Sequence, residues 1–324
     1  MTAIQTNHLV KVYAGKVRAL DGVTFDVGEG EVFALLGPNG AGKTTTVRIL
    51  TTLSGPTSGS AQVAGFDVVR QPGKVREHIG VVAQKAGIVS TGTGRENLVL
   101  QGRFFGLGGR NLKARVDELL EIVGLTGVAD RLTSTYSGGM SRRLDIAIGL
   151  INKPHVLFLD EPTTGLDPDV RAQMWDEIRR LAIQERLTIL LTTHYLEEAD
   201  RLAARLAILD RGRIVTSGSP EALKGELRGD AIAIELANGA REAEVRSALA
   251  GLAGIGELQL VDHTVHLRVA AGATTLPGVL TALHANGVAV ASATVSRPSL
   301  DEVYLRHTGR SFASAERTLQ EVSR

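Results

Sequence analysis

The sequence contains no cysteine, which removes disulfide frameworks, zinc–thiolate sites and a cysteine nucleophile from consideration. The absence also fits a reducing compartment. Aromatic residues are only 4% of the 324, so a large aromatic binding cleft is not expected. No run reaches the roughly 18 consecutive apolar residues of a membrane-spanning helix. The least polar window, 278–295, is interrupted by His284 and Asn286 and by Gly, Ser and Thr, and reads as a helix followed by a strand. Neither sign of charge dominates: 36 Lys and Arg oppose 35 Asp and Glu, a net charge of +1. The chain therefore sets up no whole-molecule field toward nucleic acid or an anionic membrane. Residues 1–8 lack a basic stretch leading into an apolar one, so no secretory signal is expected. Together these absences point to a cytoplasmic protein that meets a membrane only through a partner.

What the chain has in excess is glycine: 37 residues, about 11% against a usual ~7%. With 43% hydrophobic and 22% charged residues, it is neither a disordered chain, a collagen nor a coiled coil. Residues 1–225 read as α/β. Short apolar runs at 31–36, 79–82, 156–159, 188–192 and 206–209 have the texture of strands covered on both faces. Amphipathic patterns at 112–123 and 170–184 lie between them as helices, and Gly55–Ser60 reads as a turn. Beyond Ser219-Pro220 the texture changes. Strand patterns at 231–236, 257–261, 265–269 and 288–295 and helix patterns at 241–252 and 275–285 follow the order β-α-β-β-α-β, a ferredoxin-like α+β signature. The expected division is a nucleotide-binding domain over 1–225, an accessory domain over 226–307 and a loosely ordered polar tail over 308–324.

Gly37-Pro38-Asn39-Gly40-Ala41-Gly42-Lys43-Thr44-Thr45 fits G-x-x-x-x-G-K-[ST], between an apolar strand and a helical pattern at 45–53. Glycines let backbone N–H groups turn inward around phosphate oxygens, and the helix N-terminus adds partial positive charge. Lys43 is placed to reach the β- and γ-phosphates and the Thr44 hydroxyl to ligate Mg²⁺. A phosphate loop needs an acid for its metal. Asp160 ends the apolar strand 156–159, which is expected beside the loop strand, and so stands at the carboxyl edge where open α/β sheets bind ligands. Glu161 follows, placed to orient an attacking water. Ser137-Gly138-Gly139 opens another helical pattern and offers a hydroxyl and free N–H groups to an anion. His194 follows a further apolar strand.

These motifs, in this order, resemble the ATP-binding cassette family, the ATPase subunits of ABC transporters. The resemblance covers residues 4 to about 225. Thr163-Thr164-Gly165-Leu166-Asp167-Pro168 and Thr192-Thr193-His194-Tyr195-Leu196-Glu197-Glu198-Ala199-Asp200 are similar to its daunorubicin-resistance-type branch of drug and lipid exporters. Arg297–Leu305 is similar to that branch's ending. The resemblance implies that Tyr13 stacks on adenine and that Gln84 touches Mg²⁺ and reports nucleotide state. It further implies that His194 contacts the γ-phosphate and that Asp167 crosses a dimer interface. It implies a homodimer in which each ATP lies between one copy's Lys43 and the other's Ser137. It also implies an integral membrane permease subunit as partner, and a place on the inner face of the cell membrane held through that partner.

Two departures stand out. The signature Leu-Ser-Gly-Gly-Gln reads Tyr136-Ser-Gly-Gly-Met140 here, and no Pro precedes Gln84. A soluble mechanical ABC ATPase is the alternative. DNA-repair relatives would need long coiled coils between phosphate loop and signature, yet Ser137 follows Lys43 by 94 positions. Translation-type relatives carry two cassettes; this chain shows one. The stripe Leu300, Val303, Tyr304 wants an apolar partner surface, for which strand 288–295 is a candidate.

Overall fold

The computed structural model describes residues 1–84, 87–227, 229–237, 242–252, 254–261, 263–296 and 298–316. Arg297 and the end of the tail, 317–324, lie outside the described residues. The chain divides into two compact units, Met1–Ser219 and Pro220–Arg324.

The first unit is built on two sheets. An antiparallel sheet joins β1 (Thr2–Val12), β2 (Arg18–Gly28), β4 (Ser58–Val63) and β5 (Phe66–Asp67) in the order β2-β1-β4-β5. The second sheet contains β3 (Val32–Leu36), β6 (Ile79–Val82), β7 (Val156–Asp160), β8 (Thr188–Thr193), β9 (Arg205–Asp210) and β10 (Arg213–Gly218). Its order is β10-β9-β3-β8-β7-β6, parallel except for the β9–β10 hairpin. β7 and β8 are buried along their whole length, as the continuous apolar runs of a sheet covered on both faces require. β7 is therefore not beside the loop strand β3, contrary to the sequence expectation: β8 lies between them. Apolar run and length suit either neighbour, and only pairing register distinguishes them.

The helices of this unit are α1 (Lys43–Leu50), α2 (Pro72–His78), α3 (Gly94–Phe104), α4 (Gly109–Ile122), α5 (Gly138–Gly149), α6 (Pro168–Gln184) and α7 (Leu196–Leu202). α1 ends earlier than the pattern 45–53 suggested; Thr52 turns to φ 64° and Leu53 is exposed. Ser58, Gly59 and Ser60 belong to β4, not to a turn. Pairing with β1 (Ser58 with Val10, Ser60 with Asn7) supplies the strand that composition hid. Gly59 has φ 85°, and a Cβ there would stand 2.3 Å from the His8 carbonyl oxygen, so only glycine fits.

The second unit starts with α8 (Pro220–Gly225) and continues through β11 (Asp230–Leu236), α9 (Glu242–Leu249), β12 (Ile255–Val261), β13 (Thr264–Val269), α10 (Gly272–Ala285), β14 (Val290–Ser296) and α11 (Leu300–Thr308). The antiparallel order β12-β13-β11-β14 is the ferredoxin-like arrangement. Ile232, Ile234, Val245, Leu249, Val265, Leu267, Val279 and Leu283 form its core. α11 is closed at its start by a capping box of Ser299 and Glu302. Its stripe Leu300, Val303, Tyr304 is buried and α11 packs against α8, while β14 stays largely exposed. The tail is ordered further than expected. Phe312 is buried and its ring meets Tyr304 edge-on at 4.9 Å, because an aromatic at that point gives the polar tail an apolar anchor.

Candidate functional site

Gly37–Gly42 joins β3 to α1. Gly40 and Gly42 sit at φ 73° and 111°, conformations that side chains rarely adopt. A Cβ on Gly37 would approach the Leu209 carbonyl oxygen to 2.2 Å, so the loop is pressed against β9. Asn39 and Gly40 are exposed at its apex, and Pro38 and Ala41 are buried beneath. Thr44 and Thr45 follow Lys43 in the first turn of α1. Lys43 is only 4% exposed. Its Nζ donates to the carbonyl oxygens of Gly37 (2.7 Å) and Pro38 (3.1 Å) and lies 3.3 Å from Glu161 Oε1.

At the carboxyl end of β7, Asp160 Oδ1 accepts from Thr192 Oγ1 (2.6 Å) and Thr44 Oγ1 (3.3 Å). Thr192 belongs to β8, the intervening strand, and its hydroxyl also accepts the Glu161 N–H at 3.0 Å. Thr193 accepts the Gly37 N–H on its carbonyl at 3.2 Å. β8 therefore carries the registration between phosphate loop and acids. The sequence reading used these threonines only as a motif flank.

Glu161 is 7% exposed and has φ 50°, a left-handed conformation costing of order 1–3 kcal/mol for a residue other than glycine. Its Oε2 accepts from Gln84 Nε2 (3.1 Å) and Thr164 Oγ1 (3.2 Å). His194 Nδ1 stands 3.4 Å from Oε1, without the alignment of a hydrogen bond. Burial by itself raises the Glu161 pKa, but close approach of His194 and the Lys43 ammonium outweighs it and holds the group at about 2. The carboxylate is therefore ionised, as a group that polarises water must be.

Contacts thus unite Lys43, Thr44, Asp160, Glu161, Gln84 and His194. Of the candidates outside this cluster and the loop, Tyr13, Ser137, Gly138 and Asp167 are exposed and Gly139 is half-buried. Tyr13 follows β1, with Lys11 Nζ 5.0 Å from its ring centroid. Ser137 caps α5 by accepting the Met140 N–H at 3.2 Å, so Met140 still contributes its backbone to the cap. Gly138 and Gly139 form the first turn, and Asp167 heads α6. Tyr136 donates its hydroxyl to the Val128 carbonyl at 2.8 Å, fixing the approach to the signature from a 3₁₀ turn.

Four buried charged residues were not among the sequence candidates: Arg115, which donates to the Leu150 and Ile151 carbonyls, Arg142, Asp145 and Glu198. Glu198 on α7 accepts from Thr163 Oγ1 (2.7 Å) and Trp175 Nε1 (2.9 Å), and burial raises its pKa. Arg142 and Asp145 lie one helical turn apart on α5, 3.8 Å from each other. Burial, opposed by Arg142 and by a Gly87 N–H, pushes Asp145 up to about 6. Their only sequence signal was charge at helix positions that face inward.

The ABC transporter family model matches residues 20–164. A model of the C-terminal domain of DrrA1-3-like ATP-binding proteins matches residues 218–308. The chain is 47% identical over 315 residues to the daunorubicin resistance ATP-binding protein DrrA2 of Streptomyces coeruleorubidus, covering 97% of each. Among solved structures it is similar to cbiO1 of Clostridium perfringens, part of the ABC transporter complex cbiONQ. That likeness has a TM-score of 0.65 at 25% identity, over 78% of this chain and 96% of that one. It is also similar to a dimeric post-hydrolysis state of the ATP-binding cassette MJ0796 bound to ADP and Pi, at TM-score 0.61 and 25% identity, over 67% and 98%.

Proposed function

The chain belongs to the ATP-binding proteins of ABC transporters and is the ATP-hydrolysing subunit of an exporter; on that premise we propose that it binds ATP with Mg²⁺ as a head-to-tail homodimer held on the inner face of the cell membrane by an integral membrane permease subunit. The cargo is a drug, an antibiotic or a lipid, a reading supported by the relative named for daunorubicin resistance. The dimer is supported by the likeness to a dimeric ATP-binding cassette with ADP and Pi. The observation that carries the site is Glu161, ionised and buried beside Lys43, one residue after an Asp160 that accepts a hydrogen bond from Thr44.

The donors fit the group they are proposed to hold. Asp160 and the Thr44 hydroxyl are hard oxygen ligands, joined by the Gln84 amide, and Mg²⁺ bound through one or two protein oxygens and substrate phosphates suits such a set. When bound, the ion neutralises charge on the phosphate oxygens. The chain's own groups do the rest. Lys43 leaves the Gly37 and Pro38 carbonyls for phosphate oxygens. Tyr13 offers its exposed face to a purine. Glu161 orients and polarises a water, and His194 donates to the γ-phosphate oxyanion. Ser137, Gly138 and Gly139 serve the phosphates of the partner copy, whose Asp167 crosses back. ATP binding closes the pair and hydrolysis opens it, a switch biased by ligand.

In this division of labour, 1–225 is the nucleotide-binding domain and 226–307 a domain for dimer contact or regulation. Co-expression with the membrane protein encoded by the neighbouring reading frame tests the assignment. ATP-dependent export and recovery of the chain in the membrane fraction are expected only when both are made. Export by the membrane protein alone, or a chain that stays out of the membrane fraction beside it, would overturn the partner reading.

A further inference from the structure

Arg142 is buried at the second turn of α5, and its guanidinium collects four backbone carbonyls from two other segments. Nε donates to Pro162 at 2.6 Å, Nη1 to Ala83 at 2.8 Å, and Nη2 to Asp160 at 3.3 Å and Glu161 at 3.2 Å. Ala83 immediately precedes Gln84, and on the far side of Gln84 the Gly87 N–H lies near enough to Asp145 to favour its charged form. Arg142 thus holds one flank of Gln84 and also the peptides on either side of the Glu161 Cα. That residue is the one with φ 50°, a conformation that persists only where its surroundings over-determine it. A planar fork with five donors can satisfy this set of carbonyls; a point ammonium cannot.

We propose that Arg142 is a positioning residue that locks the signature helix, the Glu161 peptide and the flank of Gln84 into one unit. It rests on the dimeric reading above, since α5 begins at Ser137, the group offered to the partner copy's nucleotide. Engagement of Ser137, Gly138 and Gly139 on an anion at one site is thereby passed through one helical turn to the Glu161 and Gln84 that work at the chain's other site. The link is rigid and short: Ser137 caps the helix, and Arg142 lies five residues further on.

The absence of cysteine makes the test direct. A Cβ at Gly87 meets no atom within 4 Å, so Gly87→Cys accepts a nitroxide label while keeping its N–H. Ile183, 71% exposed on α6, supplies a control label as Ile183→Cys. In Arg142→Gln, the label at 87 is expected to become more mobile and the one at 183 to stay as it was. In the unlabelled variant kcat is expected to fall by roughly 10- to 100-fold, the size of a misplacement in the site, with the affinity for a fluorescent ATP analogue unchanged. Arg142→Lys keeps the charge opposite Asp145, and so the fold, but loses the fork, and is expected to fall with it. Wild-type kcat in Arg142→Lys overturns the proposal, as does an unchanged label at 87 or a loss of nucleotide affinity in step with kcat. Absence of ATP hydrolysis in the wild type would instead fail the ATPase reading, and the label at 87 would still decide the role of Arg142.

Discussion

The two units handle polar groups in opposite ways. Among the described residues, every fully buried polar or charged residue lies in Met1–Ser219, from Thr6 to Glu198. The core of the second unit is aliphatic: Ile, Leu and Val from one sheet face and two helices. Its closest approach to a buried pair is Arg268 with Glu302, 2.6 Å apart and each 13% exposed. Burying ions is costly unless each is hydrogen-bonded and paired. The first unit meets that condition with a continuous network through Lys43, Asp160, Glu161, Arg142 and Asp145. The lesson is that the buried polar groups are concentrated in one unit, while the other rests mainly on aliphatic packing, with its polar contacts, such as the α11 capping box and the Arg268–Glu302 pair, outside that core.

The sharpest way to break the contrast is Glu161→Gln. It keeps the shape and removes the charge, so ATP hydrolysis should drop by about 10²-fold or more, the usual worth of a positioned base. Nucleotide binding should persist, giving an ATP-bound dimer in size-exclusion chromatography. Wild-type turnover would take Glu161 out of the mechanism. Next in size is Ile234→Ala in β11, where the side chain is fully buried. Deleting it should cost about 2–5 kcal/mol, read by urea unfolding of the second unit, with ATP affinity unaffected. Lost affinity would show that the two units are not separable in this way.

Lys43→Ala should weaken ATP binding by roughly 10- to 100-fold, the worth of charge-assisted hydrogen bonds of about 1.5–3 kcal/mol. It also strips Glu161 of its cation. An unchanged ATP dissociation constant would count against the phosphate loop. The smallest effect belongs to Asp145. Its folded pKa near 6 lies above the ordinary 3.8, so between those values the native state holds more protons and stability rises as pH falls. From pH 7.5 to pH 5 the gain should be about 1 kcal/mol by linkage. Asp145→Asn should remove that portion of the pH dependence; an identical slope in the variant would show that Asp145 does not titrate there.

Legibility followed burial on both faces. β3, β6, β7, β8 and β9 are short apolar runs, and each lies within a residue or two of its sequence pattern, because strands covered on both sides need little but aliphatic residues. The sheet of β1, β2, β4 and β5 was invisible. β1 alternates irregularly between exposed and buried residues, and its pairings contain several register shifts, so no clean period of two survives in the sequence. The same limit applied to the tail, where one buried aromatic, Phe312, could not be told from a polar extension.

Sequence alone determined the parts whose chemistry is local. The phosphate loop's glycines, Lys43 and Thr44 fall within eight positions, 37–44, and Asp160 and Glu161 are adjacent, and a backbone turn or strand end fixes such neighbours relative to each other. Tertiary structure decided which distant groups meet. It placed β8 between β3 and β7 and so made Thr192 the common partner of Asp160 and Glu161. It also brought His194 and Gln84 to one carboxylate and turned Arg142 inward onto four carbonyls. Those contacts join residues from 18 to 77 positions apart. At such separations the period of a helix or strand carries no information, and only strand order and packing say which side chains face one another.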